Sequence, residues 1–244
     1  MVDIHTHVLF KIDDGPKTPE DSLALLARLA ESGVSDVVAT SHYYSHRVPV
    51  DRFLQSRNER LEQVRRMLDE RDIAIRLYPA AEVYLDNLLF NVESLSELCF
   101  EGTNNLLLEI SHTADSLEDT LQMIARVMST YNVQPIIAHV ERYRFFYKKM
   151  HNLRLLQDMG CLIQVDTDCV LGSLWERRFA FSALREGYVD VIASDCHDLK
   201  KRSPRLTDAY ALIRKKAGDE TVLRLQENAR QLIVPTHTNI GKPA

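Results

Sequence analysis

At 244 residues the chain fits one large domain, residues 1–244, because single α/β barrels reach this size. Its formal net charge of -5 gives no electrostatic ground for a nucleic-acid partner, which calls for a basic face, but leaves an anionic substrate open, since bound metal ions reverse the local sign. No apolar run approaches the roughly 18 residues needed to cross a bilayer, so no membrane insertion is expected.

The first predicted strand, Val2–Ile4, runs into His5-Thr6-His7, and the loop after it carries Asp13-Asp14-Gly15. Thr18-Pro19-Glu20-Asp21 reads as a capped helix start with proline in the first turn; Leu23, Leu26, Ala27 and Ala30 then follow the i, i+3, i+4, i+7 spacing. Gly33 stops that helix before a strand over Asp36–Ala39, which His42 follows. A third strand, Ile73–Tyr78, is followed by Glu82, and a fourth, Asn105–Glu109, ends on Glu109. Leu121, Ile124, Ala125 and Met128 repeat the helical spacing before a fifth strand, Val133–Ala138, and His139. Gly160 and Gly187 stop helices ahead of the strands Leu162–Val165 and Val189–Ala193; the last of these leads into Asp195-Cys196-His197, and Thr207 with Tyr210 lies near a further helix start.

Strand–helix alternation with short connections implies parallel strands covered by helices. Seven strands point to an irregular barrel, with an open doubly wound sheet as the alternative. In a parallel barrel all strand C-termini share one face. His5, His7, Asp14, His42, Glu82, Glu109, His139, Asp195 and His197 would therefore converge on it. Alternate residues of an extended segment point the same way, so His5 and His7 can serve one site, as can Asp195 and His197. Two carboxylates 4 Å apart repel by roughly 4 kcal/mol at an effective dielectric of about 20. Divalent cations would turn that repulsion into attraction, and mixed imidazole and carboxylate donors suit Mn, Fe or Zn. His46, His112, His151 and His237 fall off the pattern and read as packing or surface residues.

On these residues the chain resembles the polymerase-and-histidinol-phosphatase (PHP) superfamily and, within it, the bacterial capsule-associated, manganese-dependent tyrosine-protein phosphatases. The segments DIHTHVLFKIDDGPKT, VVATSHYY, AAEVYLDN, LLLEISH, IIAHVERY and VIASDCHDLKKRSPRL carry the likeness from Asp3 to Leu206. It implies a seven-stranded, TIM-like (β/α)7 barrel, the PHP fold, with two or three divalent ions. His5, His7, Glu82 and Asp195 would hold one; Glu82 would bridge to a second with Glu109 and His139; Asp14, His42 and His197 would hold the third. Arg142 and Arg202 match arginines that contact phosphate. Ser41 and Val140 depart from prolines common in the family and adjust loop backbone only. The implied substrate is the phosphotyrosine tail of a bacterial tyrosine kinase controlling capsule or exopolysaccharide synthesis, and the resemblance gives reason to consider a homo-oligomer built through the N-terminal helices.

Cys196 to Ser203, CHDLKKRS, also satisfies the Cys-x5-Arg-Ser pattern of cysteine-dependent tyrosine phosphatases. It lacks the glycine-containing phosphate loop of those enzymes, and Asp195 beside the thiol would raise its pKa, so a thiolate mechanism is not expected. The four cysteines have no CxxC spacing, and the first ten residues lack the basic and apolar regions of a signal peptide; both fit a cytoplasmic protein. Competing functions are a phosphatase of a small phosphomonoester such as histidinol phosphate, a nuclease, and a regulatory subunit with a vestigial metal site. The last residues, 235–244, read as a loosely ordered tail.

Overall fold

The Thr18 hydroxyl accepts from the Asp21 amide at 3.1 Å while the Asp21 carboxylate accepts from the Thr18 amide at 3.1 Å, so the expected cap is a reciprocal capping box. A computed structural model describes residues 1–234; the expected tail, residues 235–244 with His237, lies outside the described residues. The elements run β1 (Val2–Thr6), α1 (Pro19–Glu31), β2 (Asp36–Ala39), β3 (His42–Tyr43), α2 (Val50–Glu70), β4 (Arg76–Pro79), β5 (Glu82–Tyr84) and β6 (Asn105–Glu109). Then follow α3 (Leu117–Tyr131), β7 (Gln134–Ile137), α4 (Arg144–Tyr147), α5 (Leu153–Asp158), β8 (Leu162–Asp166), α6 (Thr167–Leu171), α7 (Leu174–Arg185), β9 (Val191–Ala193), α8 (Leu206–Ala217) and α9 (Asp219–Leu232). No described helix is long and apolar enough to cross a membrane.

Among the described residues every strand pairing is parallel, in a three-stranded sheet ordered β1-β2-β4 and a six-stranded one ordered β3-β5-β6-β7-β8-β9. The seven predicted strands thus appear as nine segments. The strand expected over Ile73–Tyr78 begins only at Arg76, and β3 and β5 are additional. The reason lies in two interruptions, at Thr40-Ser41 and Ala80-Ala81, where the chain passes from the first sheet to the second. Loop hydrogen bonds carry the pairing across: Ala80 N donates to Ala39 O at 3.1 Å and Glu82 N to Thr40 O at 3.1 Å. Beyond the end of β9, Asp195 N donates to His5 O and His7 N to Cys196 O, both at 2.9 Å, tying the last strand's extension to the first strand.

The strands read as near-continuous apolar runs because both faces are covered. Val37, Leu106, Leu108, Ile137, Ile163, Val165 and Ile192 join the cluster that packs against helices. Their neighbours Ile4, Val38, Leu107, Ile136, Val191 and Ala193 form a second cluster, closed by Ala229 and Leu232 of α9. The Asn105 amide donates to Leu232 O at 2.9 Å, and the Asn228 amide to Asp190 O at 2.9 Å, so α9 is pinned across the N-terminal ends of β6 and β9. In α3 the expected apolar face is displaced: Thr120, Ile124 and Val127 are buried, whereas Ala125 is exposed, since a small side chain tolerates either environment.

Candidate metal centre

Of the nine predicted site residues, His5, Glu109, His139, Asp195 and His197 lie at or just past the C-terminal ends of strands and His7 and Asp14 in the loop after β1, whereas His42 and Glu82 open β3 and β5 immediately beyond the interruptions that follow β2 and β4. Three overlapping donor groups form there, each with ligand atoms within 4.8 Å of one another: His5, His7, Glu82 and Asp195; His7, Asp14, His42 and His197; and His42, Glu82 and Glu109. His7, His42 and Glu82 each belong to two groups. The third group differs from the expected trio of Glu82, Glu109 and His139, because His42 takes a place beside Glu109. His139 is nonetheless adjacent, its Nε2 2.8 Å from Glu82 Oε1.

Local backbone explains how the chain delivers these groups. β1 shifts register between Asp3 and Thr6, an irregularity of the kind that re-aims a side chain next to a site. His139 (φ 36°) and Asp195 (φ 50°) are held in the left-handed region, which L-residues with a Cβ adopt at a cost of about 1–3 kcal/mol and which clusters at functional sites. Gly15 follows Asp14 where any Cβ would strike the carbonyl oxygen of His7, so only glycine lets this loop close over the first strand.

The histidines are oriented from behind. His5 Nδ1 is 3.1 Å from Gln164 Oε1, His7 Nδ1 is 2.7 Å from Asp13 Oδ2, and His197 Nδ1 donates to Asp195 O at 2.9 Å. With Nδ1 committed to an oxygen acceptor, Nε2 of each ring faces the cluster, the arrangement that hydrogen bonds from behind impose on metal-binding histidines. The Gln164 carbonyl also accepts from His139 N at 2.9 Å, and the Tyr143 hydroxyl lies 3.2 Å from His139 Nδ1.

Electrostatics make this end of the sheet unlike any ordinary core. Burial opposes charge on His5, yet Glu82 and Asp195 outweigh it and lift its pKa to about 9. Burial likewise opposes ionisation of Glu82 and Asp195, but the surrounding imidazoles, His5 foremost, hold both well below the usual carboxylate range. Burial and the Glu82 charge push Glu109 up. His197, its Nε2 3.1 Å from Asp14 Oδ1, pulls Asp14 down to about 2. Among the described residues, eleven buried side-chain polar atoms lack a hydrogen-bond partner, and five of them meet here: His42 Nδ1, Glu82 Oε2, Glu109 Oε2, Asp195 Oδ1 and His197 Nε2. Such atoms are costly when left alone and are the electron-pair donors a divalent cation needs. The donor set therefore fits a metal cluster.

Arg142 and Arg202 reach the same carboxylate. Arg142 Nη2 donates to Asp166 Oδ2 and Asp195 Oδ2, each at 2.5 Å; Arg202 Nη2 donates to Asp195 Oδ2 at 2.7 Å and its Nη1 to Asp14 Oδ2 at 3.1 Å. Cys196 is fully buried, and that burial together with Asp3 pushes its thiol well above the ordinary value. Both effects disfavour a thiolate there.

The family model for capsular polysaccharide synthesis, CpsB/CapC, matches residues 1–234. This chain belongs to that family. It is 31% identical to the tyrosine-protein phosphatase CpsB of Streptococcus pneumoniae, over 96% of this chain and 98% of the relative. The fold superposes with a TM-score of 0.82 at 23% identity on a crystal structure from work on YwqE of Bacillus subtilis and CpsB of Streptococcus pneumoniae, described as metal-dependent tyrosine phosphatases, covering 96% of this chain and 94% of the other. A phosphotriesterase homology protein from Escherichia coli, solved with phosphate in its active site, matches at a TM-score of 0.60 and 13% identity over 96% of this chain and 98% of the other, which places the fold among TIM-like α/β proteins.

In this CpsB/CapC member several groups outside the predicted set also shape the site. Gln164 and Asp166 stand on β8, the one predicted strand to which no ligand was assigned. The rule that C-terminal strand ends carry function would have pointed to Asp166. Asp13 was visible beside Asp14 but gave no sign of which carboxylate would turn inward. His112, read as a packing residue, lies at the rim, 3.6 Å from Glu109 and half-exposed. His46 pairs with Asp86 at 2.7 Å.

Proposed function

We propose that this chain is a metal-dependent protein-tyrosine phosphatase that hydrolyses phosphotyrosine on a bacterial tyrosine kinase and so regulates capsular or exopolysaccharide synthesis. The observation that carries the reading is the overlap of three donor groups around His7, His42 and Glu82. The names of the curated relatives support the substrate, since the pneumococcal relative is a tyrosine-protein phosphatase. In this reading His5, His7, Glu82 and Asp195 hold one ion, Glu82, Glu109 and His139 a second, and Asp14, His42 and His197 a third, with His42 close enough to Glu109 to be shared. Four carboxylates among nine donors favour a relatively hard ion, and we propose manganese over iron or zinc. We further propose that the nine strand segments are seven strand paths closing one irregular barrel of the PHP type, residues 1–244 being a single domain that works in the cytoplasm; the four cysteines, none in a disulfide, fit a reducing compartment.

When bound, the ions supply Lewis acidity and lower the pKa of water to near neutrality. The chain's own groups do the rest. Arg142 and Arg202 present guanidinium forks suited to the non-bridging oxygens of a phosphoryl group. Both rest on Asp195, so one carboxylate aims the two cations. Gln164, Asp13 and the Asp195 carbonyl keep His5, His7 and His197 in one tautomer. A phenolate leaves with little help, so the reaction needs no strong side-chain acid. The test compares turnover of a phosphotyrosine peptide with that of histidinol phosphate in the presence of Mn²⁺. A kcat/KM at least tenfold higher for the peptide is expected; a preference for histidinol phosphate would assign the site to small phosphomonoesters instead.

A further inference from the structure

A groove of about 630 Å³ opens from the metal-site residues Asp14 and His42 and runs past Tyr44 to Lys11, Arg47 and Arg52. Its size is that of a ligand pocket, and its charges are unequally matched. Asp14 Oδ2 accepts from Arg202, and Asp13, also at the groove, accepts from His7 and from Gly15 N. Asp86, which does not line the groove, is taken up by Ser45 and His46, each at 2.7 Å. By contrast, the side chains of Lys11, Arg47 and Arg52 make no ion pair or hydrogen bond among the described residues, although all three are exposed. The guanidinium of Arg47 lies 4.4 Å from the Tyr44 ring centroid, and that ring is 5.3 Å from His42. An aromatic wall thus joins the end of the groove at Asp14 and His42 to its cationic end.

We infer that Lys11, Arg47 and Arg52 form a specificity subsite for carboxylate side chains flanking the phosphotyrosine of an acidic peptide substrate, with Tyr44 lining the path of its phenol ring. The inference rests on the phosphatase reading above and extends it to the sequence around the scissile group. The charge logic is local. A chain of net charge -5 repels an acidic peptide over most of its surface, so three unmatched cations beside the centre select where such a peptide can settle. Guanidinium pairs with carboxylate in a fixed fork, and stacking on Tyr44 limits the freedom Arg47 loses on binding.

The test uses two peptides of equal length carrying the non-hydrolysable phosphonodifluoromethyl analogue of phosphotyrosine, one flanked by Asp and Glu and the other by Ser and Ala. Binding to the Mn²⁺-loaded protein is read by fluorescence anisotropy, so turnover does not enter. The acidic peptide is expected to bind about tenfold tighter, three exposed charge pairs contributing a factor of about two each, and the preference should shrink as salt is raised. In an Arg47→Glu/Arg52→Glu double variant the ratio should fall to about one or invert. A control Arg66→Glu/Arg71→Glu double variant, the same charge change towards the other end of α2 and about 21 and 28 Å from Arg52, should keep the wild-type ratio. Equal affinity for the two peptides, or a ratio that the double variant leaves intact, overturns the inference without touching the phosphatase reading. Conversely, a preserved preference with no hydrolysis of the corresponding phosphotyrosine peptide would support the subsite and count against the phosphatase reading.

Discussion

The two ends of the strands are built from the same β-segments and could hardly be more different. At the N-terminal ends α9 lays Ala229 and Leu232 over Val2 and Val191, and the polar groups there are paired: Asn105 and Asn228 spend their amides on backbone carbonyls, Asp36 accepts from Arg76 at 2.6 Å and Asp190 from Ile163 N at 2.8 Å. Across the sheet, two residues past Ala193 and directly after Ala138, sit Asp195 and His139, both buried, among side chains whose donor atoms, Asp195 Oδ1 included, lack partners. One end gains stability from apolar burial. The other is an arrangement that packing alone would not choose, since it concentrates carboxylates and strained backbone where a core residue would serve stability better. The contrast teaches that damage to the two ends should separate cleanly into loss of chemistry and loss of stability.

The largest effect is expected from the charged end. His5→Ala or Asp195→Ala should lower kcat/KM for a phosphotyrosine peptide by more than about a hundredfold, beyond the 10–100-fold that loss of an orienting partner brings. Circular dichroism should show a retained fold, and near-normal turnover in either variant would contradict the assignment of these donors. Next comes the apolar end, where Leu232→Ala should cost about 2–5 kcal/mol in denaturant unfolding. Activity per folded molecule should stay at the wild-type level; a loss of activity without a loss of stability would dissolve the distinction between the ends. Smaller again is Gln164→Ala, which frees His5 and His139 from their shared carbonyl. It should weaken metal affinity or activity about 10–100-fold, with calorimetric Mn²⁺ titration as the readout, and an unchanged affinity would remove Gln164 from the orienting shell.

Much of this was legible in the chain because chemistry-bearing residues sit at regular points of a repeating strand–helix pattern. His5, His7, Glu109, His139 and Asp195 could be placed on the active face once their strands were recognised, since parallel strands share a direction. The breaks at Thr40-Ser41 and Ala80-Ala81 could not be foreseen. Segments of two and three residues such as β3 and β5 are too short to show a period. Gln164 was hidden for another reason: an amide inside an apolar strand gives no sign of its partners until His5 and His139 are brought against it. Arg142 and Arg202 were located by resemblance, but their shared contact with Asp195 is a fact of three dimensions. The Cys-x5-Arg-Ser pattern at Cys196 shows the opposite hazard, a motif satisfied in sequence by a thiol that the fold buries completely.

The most direct measurement is hydrolysis of a phosphotyrosine peptide by chelator-stripped protein, then by the same protein resupplied with Mn²⁺, Zn²⁺ or Mg²⁺, with and without prior thiol alkylation. The account predicts that stripping abolishes turnover, that Mn²⁺ restores it most fully, and that alkylation has little effect on the buried Cys196. Turnover that survives stripping and disappears on alkylation would contradict it and make the thiol, not the histidine–carboxylate cluster, the centre of the chemistry.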